Sequence, residues 1–150
     1  MILVLRDTTE WKPETSSVFA NAEKMLPFIR EHSGTYAMGD QAGLTAYIVG
    51  VPIIQLEGLN ADYRIYEHIK QQDNLLSVLR EYHVDYLIET SNNLGLPKEN
   101  GCYIVEEPHS AQAGLLSSKM HGNICSEPVY RQIISKSGYE MKTYIFDVKK

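Results

Sequence analysis

No stretch of this 150-residue sequence approaches the roughly 20 consecutive apolar residues that a membrane-crossing helix needs. Its first residues also lack the basic-then-apolar order of a secretory signal, so the chain as written reads as soluble. Positive charge is scarce too: 14 Lys and Arg stand against 19 Asp and Glu, for a formal charge of −5, and no basic cluster is interleaved with aromatics. Because a nucleic acid is held by concentrated positive charge, that distribution excludes it as the expected partner. Repeats, low-complexity tracts and obvious linkers are missing. At this length a chain buries roughly 70% of the surface its unfolded form exposes, so residues 1–150 read as a single domain with one core.

The common signatures of site chemistry are absent as well. His32, His68, His83, His109 and His121 are scattered, and His109 and His121 do not form the close paired spacing with Cys102 and Cys125 that a zinc site uses. No metal is expected. Ser110, His109 and Asp85 have no G-x-S-x-G elbow to assemble them into a hydrolase triad. The stretch "GDQAGLTAYIVGVPIIQLEGLN", residues 39–60, begins like a nucleotide loop but lacks the G-x-G-x-x-G order that lets a backbone approach a pyrophosphate. The P-loop lysine is missing too, and Asp40 at the mouth of the loop repels phosphate. No cofactor is expected. Asp40 reads instead as the amino-terminal cap of a helix, where a carboxylate takes orphan N–H groups and complements the dipole, so that Asp40→Ala would cost about 1 kcal/mol. The two cysteines leave the compartment open, and outside the cytoplasm two readings of Cys102 and Cys125 stand side by side: a disulfide that staples the loop between them, or two unrelated buried thiols.

What is present is an alternation of strand and helix signals. Residues 2–5 suggest a short strand or the frayed end of whatever precedes this domain. Val18, Ala22, Leu26 and Ile29 recur at helical spacing over residues 17–31, with Gly34 as a stop and Pro27 predicted to kink or divide the helix. A strand over 36–38, a short helix over 44–49 and a buried strand over 52–56 follow. Tyr63, Tyr66 and Ile69 mark one helix; Leu75, Leu79 and Tyr82 mark another, behind the capping pair Asp73-Asn74. Residues 84–88 are a strand by composition, 92–101 a loop, 102–105 a strand, and 109–123 have little periodicity. Ser126-Glu127-Pro128 predicts a final helix through Ile133 and Ile134 that stops at Gly138, since serine caps, proline suits a first turn and glycine ends one. Residues 141–148 alternate and predict a closing strand, antiparallel or at an edge. The whole reads as an α/β domain of Rossmann-like or flavodoxin-like type, a mixed sheet with helices on both faces.

Several of these residues carry a resemblance. Gly39-Asp40, Ala42-Gly43, Tyr47, Ile53-Ile54 and Leu56-Glu57-Gly58-Leu59-Asn60 form a strand, a D-x-A-G helix with an aromatic, and a second strand ending in an acidic G-L turn. With "LREYHVDYLI" downstream and the helix end at residues 28–34, this resembles a recurrent segment of bacterial polytopic membrane glycosyltransferases of the C superfamily, which use polyprenyl-phosphate-linked sugars. The likeness spans residues 28–88. Where those proteins commonly place an aspartate before the turn, this chain has its acid at Glu57. The resemblance implies the domain that follows the last membrane helix, on the outer face of the cytoplasmic membrane, with Met1 a cut inside a longer chain. The catalytic acid of that family lies between early membrane helices, a region this sequence does not include. A noncatalytic accessory role is thereby implied, packed against the membrane-embedded part of the parent chain and helping to position the acceptor or a partner protein over its active site, with a glycan or a lipid-linked sugar as the implied ligand.

Ten tyrosines supply rings that pack in cores and also stack on sugars. A groove between the loop after Met38 and the loop after Leu56, both leaving carboxyl ends of strands, makes Asp40, Tyr47, Glu57 and Asn60 the candidate ligand-binding residues. The alternative is a free-standing cytoplasmic α/β protein that binds a small ligand or modifies a sugar.

Overall fold

Side-chain alternation along the strands sorts the core into two layers. In the computed structural model, which describes residues 13–57, 63–108, 118–136 and 138–149, the chain runs α1 (Pro13–Glu31), β1 (Tyr36–Met38), α2 (Ala42–Val49), β2 (Ile53–Gln55), α3 (Tyr63–Gln71), α4 (Leu75–Glu81), β3 (Tyr86–Ser91), β4 (Lys98–Glu99), β5 (Cys102–Glu107), β6 (Met120–Ile124), β7 (Tyr130–Lys136) and β8 (Tyr139–Asp147). Five strands form a mixed sheet in the order β2-β1-β3-β8-β7, with β2, β1 and β3 parallel and β8 and β7 antiparallel; β4, β5 and β6 form a smaller antiparallel sheet. Tyr36, Met38, Ile88 and Ile145 point to one face, where they pack with Met25, Phe28 and Ile29 of α1 and Ala42 and Val49 of α2. Ala37, Leu87 and Phe146 point to the other, against Ile65, Ile69, Leu75, Val78 and Leu79 of α3 and α4 and against Tyr103, Val105 and Met120 of the small sheet. The architecture is therefore a mixed α/β sheet with helices on both faces and a second sheet laid over part of one face. Among the described residues, no helix is long and apolar enough to cross a membrane.

Local chemistry accounts for several elements. Asn74 caps α4, its side-chain oxygen accepting the Ser77 N–H at 3.1 Å. α1 runs unbroken through Pro27, so the predicted division does not occur: Met25, Phe28 and Ile29 on either side are buried, and their packing holds the turn despite the lost N–H. α1 is also pinned by polar contacts. Buried Asn21 accepts hydrogen bonds from Thr143 Oγ1 at 2.5 Å and from Gln132 Nε2, which also donates to the Asn21 carbonyl at 2.8 Å.

The carboxyl-terminal third departs from expectation. No helix follows Ser126-Glu127-Pro128. Residues 130–136 are strand β7, paired with β8 from Tyr130↔Ile145 to Lys136↔Tyr139. Pairing with β8 overrides the cap-like signal, and Gly138, in the left-handed region at φ 81°, turns the β7–β8 hairpin instead of ending a helix. β8 is antiparallel as expected but lies between β3 and β7, not at an edge. β2, expected to be buried, is a half-buried edge strand. β4 and β6 arise where loop or weak periodicity was expected. The disulfide Cys102–Cys125 staples β5 to the residue after β6. The strand expected over residues 2–5 lies outside the described residues, as do His109 and Ser110.

Candidate functional site

From β1 the chain moves outward through α2 to β2, then crosses back through α3 and α4 to β3 on the far side of β1. α2 packs on one face of the sheet and α3 and α4 on the other. The loops that leave β1 and β3 therefore part at a topological switch point, the place where open α/β sheets have a crevice beyond their carboxyl ends. A cavity of about 300 Å³ lies there. Gly39, Asp40 and Gln41 line it from the loop after β1, Glu89 to Asn92 from the end of β3, Leu94 to Pro97 from the following loop, Glu107 from β5, and Tyr139 and Met141 from β8.

The same alternation that builds the core places two acids in this crevice. Glu89 follows the parity of Leu87, and Glu107 ends the inward row Tyr103, Val105, Glu107 of β5. Both therefore face the space between the two sheets at its open end. Gly39 continues the inward parity of Ala37, and a Cβ there would collide with the Glu107 carboxylate. The glycine is needed for room: it lets Glu107 lie against the backbone that leaves β1.

Glu89 is 2% exposed, and its Oε1 is buried with no hydrogen-bond partner. Burial, followed by the charges of Glu107 and Glu106, pushes its carboxyl well above the usual carboxylate range. Gln41 Oε1 is a second buried oxygen without a hydrogen-bond partner on the same lining. No Lys, Arg or His lines the cavity among the described residues. Lys142, behind Gly95, is engaged by Glu140 at 3.2 Å and by the Asn93 carbonyl at 2.7 Å. Lys119 is engaged by Glu106 at 2.5 Å. Among the described residues, no group of three or more His, Cys, Asp and Glu is arranged to hold a metal ion.

Asp40 does not cap α2. The helix starts one residue later, with Gln41 in the cap position in the left-handed region at φ 69° and making no side-chain cap bond. Asp40 therefore contributes none of the cap energy expected of it, and its exposed side chain lines the crevice instead. Glu57, 8% exposed beyond β2, is pushed upward by burial and then by the charge of Asp40, against a lowering hydrogen bond from Gln55 Nε2 at 3.4 Å. It feels Asp40 but is not on the cavity lining. Tyr47 is 85% exposed on α2 and also off the lining, and Asn60 lies outside the described residues. Of the three candidates among the described residues, the crevice thus takes in Asp40 alone, because the switch falls between β1 and β3 whereas β2 is the edge. Glu89 and Glu107 were not among them. Their signal was an acid at an inward position of an apolar strand, in "YLIETS" and "CYIVEE".

Compared with known proteins, the chain matches no family model, no curated protein and no solved structure.

Proposed function

We propose that this chain is the noncatalytic, outward-facing accessory domain of a bacterial membrane glycosyltransferase, and that the crevice beyond β1 and β3 holds part of a sugar-bearing acceptor. The observation that carries this reading is the switch-point cavity with its acceptor-rich lining. Carboxylates, the Gln41 amide oxygen and the Tyr139 ring are the kinds of group that take sugar hydroxyls and stack on sugar faces. An all-acidic set of charges repels the phosphate of a polyprenyl-linked donor, which favours the acceptor over the donor as occupant. The parallel strands β2, β1 and β3 with helices on each face favour the Rossmann-like or flavodoxin-like reading of this half of the sheet.

The Cys102–Cys125 disulfide favours an oxidising compartment, as the outer face of the membrane is, over a cytoplasmic setting where thiols are kept reduced. The test is a titration of the isotopically labelled 150-residue chain with hexoses and with a short polyprenyl phosphate, followed by backbone amide shifts. Saturable shifts at Gly39, Gln41 and Glu89 with sugars, none with the phosphate, and no glycosidic bond formed from a polyprenyl-phosphate sugar are the expected results. Turnover by the isolated chain, or phosphate binding in the crevice, contradicts the reading.

A further inference from the structure

We infer that the ligand of this crevice carries a primary ammonium group that docks between Glu89 and the Gln41 amide oxygen. The inference deepens the function proposed above and rests on it for the sugar part of the ligand. Glu89 Oε1 and Gln41 Oε1 are both buried, both on the cavity lining, and both oxygens without a hydrogen-bond partner. Two orphan acceptors call for a ligand that brings donors. A buried carboxylate is tolerated when it is neutral or when a cation pairs with it, and the lining offers no cation of its own among the described residues.

The charges around Glu89 have one sign. Glu107, on the inward row of β5, faces the same space, Glu106 adds its charge from the other side of that strand, and Asp40 stands on the same lining, so the local potential attracts a positive group and opposes a negative one. Among the described residues the acids are not grouped as metal ligands, which favours an organic cation over a metal ion as occupant. An ammonium has three donors and a full charge, whereas a sugar hydroxyl has one donor and none. Its charge-assisted bonds to a carboxylate are roughly twice as strong as neutral ones.

The experiment uses the full chain and four probes: glucosamine, N-acetylglucosamine, glucose and propylamine, each followed by amide shifts of Gly39, Asp40, Gln41 and Glu89. Glucosamine is expected to bind at least about tenfold more tightly than glucose or N-acetylglucosamine. In Glu89→Gln, an isosteric change, that preference is expected to fall toward unity with the melting temperature no lower. Asp40→Asn, at an exposed position, is expected to narrow it partially and serves if Glu89→Gln fails to fold. Equal binding of glucosamine and the neutral sugars overturns the ammonium site and leaves the sugar-binding reading standing. Binding of propylamine as tight as glucosamine, with none by the neutral sugars, supports the ammonium site and sinks the sugar reading. An undiminished preference in Glu89→Gln shows that Glu89 is only a protonated core acid and overturns the inference, and the absence of any binding overturns both.

Discussion

Replacing Glu89 with glutamine removes one titratable group from the space between the sheets and keeps its shape. Glu89 is held above its ordinary value of 4.5 by burial and by Glu107 and Glu106. Between that value and its folded value, the folded protein binds a proton that the unfolded chain has already released. Stability must then fall as pH rises, by up to about 1.4 kcal/mol per pH unit, until Glu89 ionises in the folded state. Glu57 is also raised, but it titrates in both proteins and cancels in the comparison. Asp85 and Glu127 are lowered, by Lys149 and Lys98 first, and act on the acid side of their ordinary values of 3.8 and 4.5. Urea unfolding of both proteins between about pH 4.5 and about pH 8 isolates the effect, because the difference curve contains Glu89 and its neighbours alone. The variant is expected to gain on the wild type steadily with pH over that window. Parallel curves would refute the claim that this carboxyl is buried without a partner.

Gly39→Ala puts a methyl group into the Glu107 carboxylate and should cost roughly 1–3 kcal/mol in urea unfolding, whereas a freely adaptable loop would lose almost nothing. Asn21→Ala strands the buried Thr143 hydroxyl and leaves the Gln132 amide only the residue 21 backbone carbonyl, and should cost about 1–3 kcal/mol; Thr143→Val in the same background should recover part of that, and a neutral Asn21→Ala would contradict the pinning of α1 to the β7–β8 hairpin. Reducing Cys102–Cys125, which spans 23 residues of sequence, should lower stability by about 3 kcal/mol through release of loop entropy, read as a shift in the urea midpoint.

The elements legible in the sequence were those whose signals are local. Asn74 caps α4 through a bond to Ser77, a neighbour in sequence, and the apolar residues of α1, β1 and β3 show their period within a few positions. Residues 126–138 misled for a related reason. Tyr130, Ile133 and Ile134 satisfy helical spacing, and Ser126-Glu127-Pro128 resembles a cap, while the deciding interaction is pairing with β8 across the hairpin at Gly138. Asp40 misled by one position, since a left-handed Gln41 moves the start of α2 past it.

The crevice was half legible. That ligands gather at carboxyl ends of strands pointed to the loop after Met38 and hence to Asp40. Which second loop joins it depends on strand order, and β3, not β2, closes the switch point. Glu89 and Glu107 are far apart in sequence and on different sheets, so their approach depends on how the small sheet lies over the large one. Only the inward parity of each acid was visible beforehand.

Whether the space between Gly39, Glu89 and Glu107 receives a ligand is read from intermolecular proton contacts, measured by NMR, between added glucosamine and the labelled chain. Contacts are expected from the sugar ring protons to the Gly39 α-protons and the Tyr139 ring, lost in Glu89→Gln. Contacts confined to the exposed face of α2 around Tyr47, or none at any site at saturating sugar, would contradict that expectation.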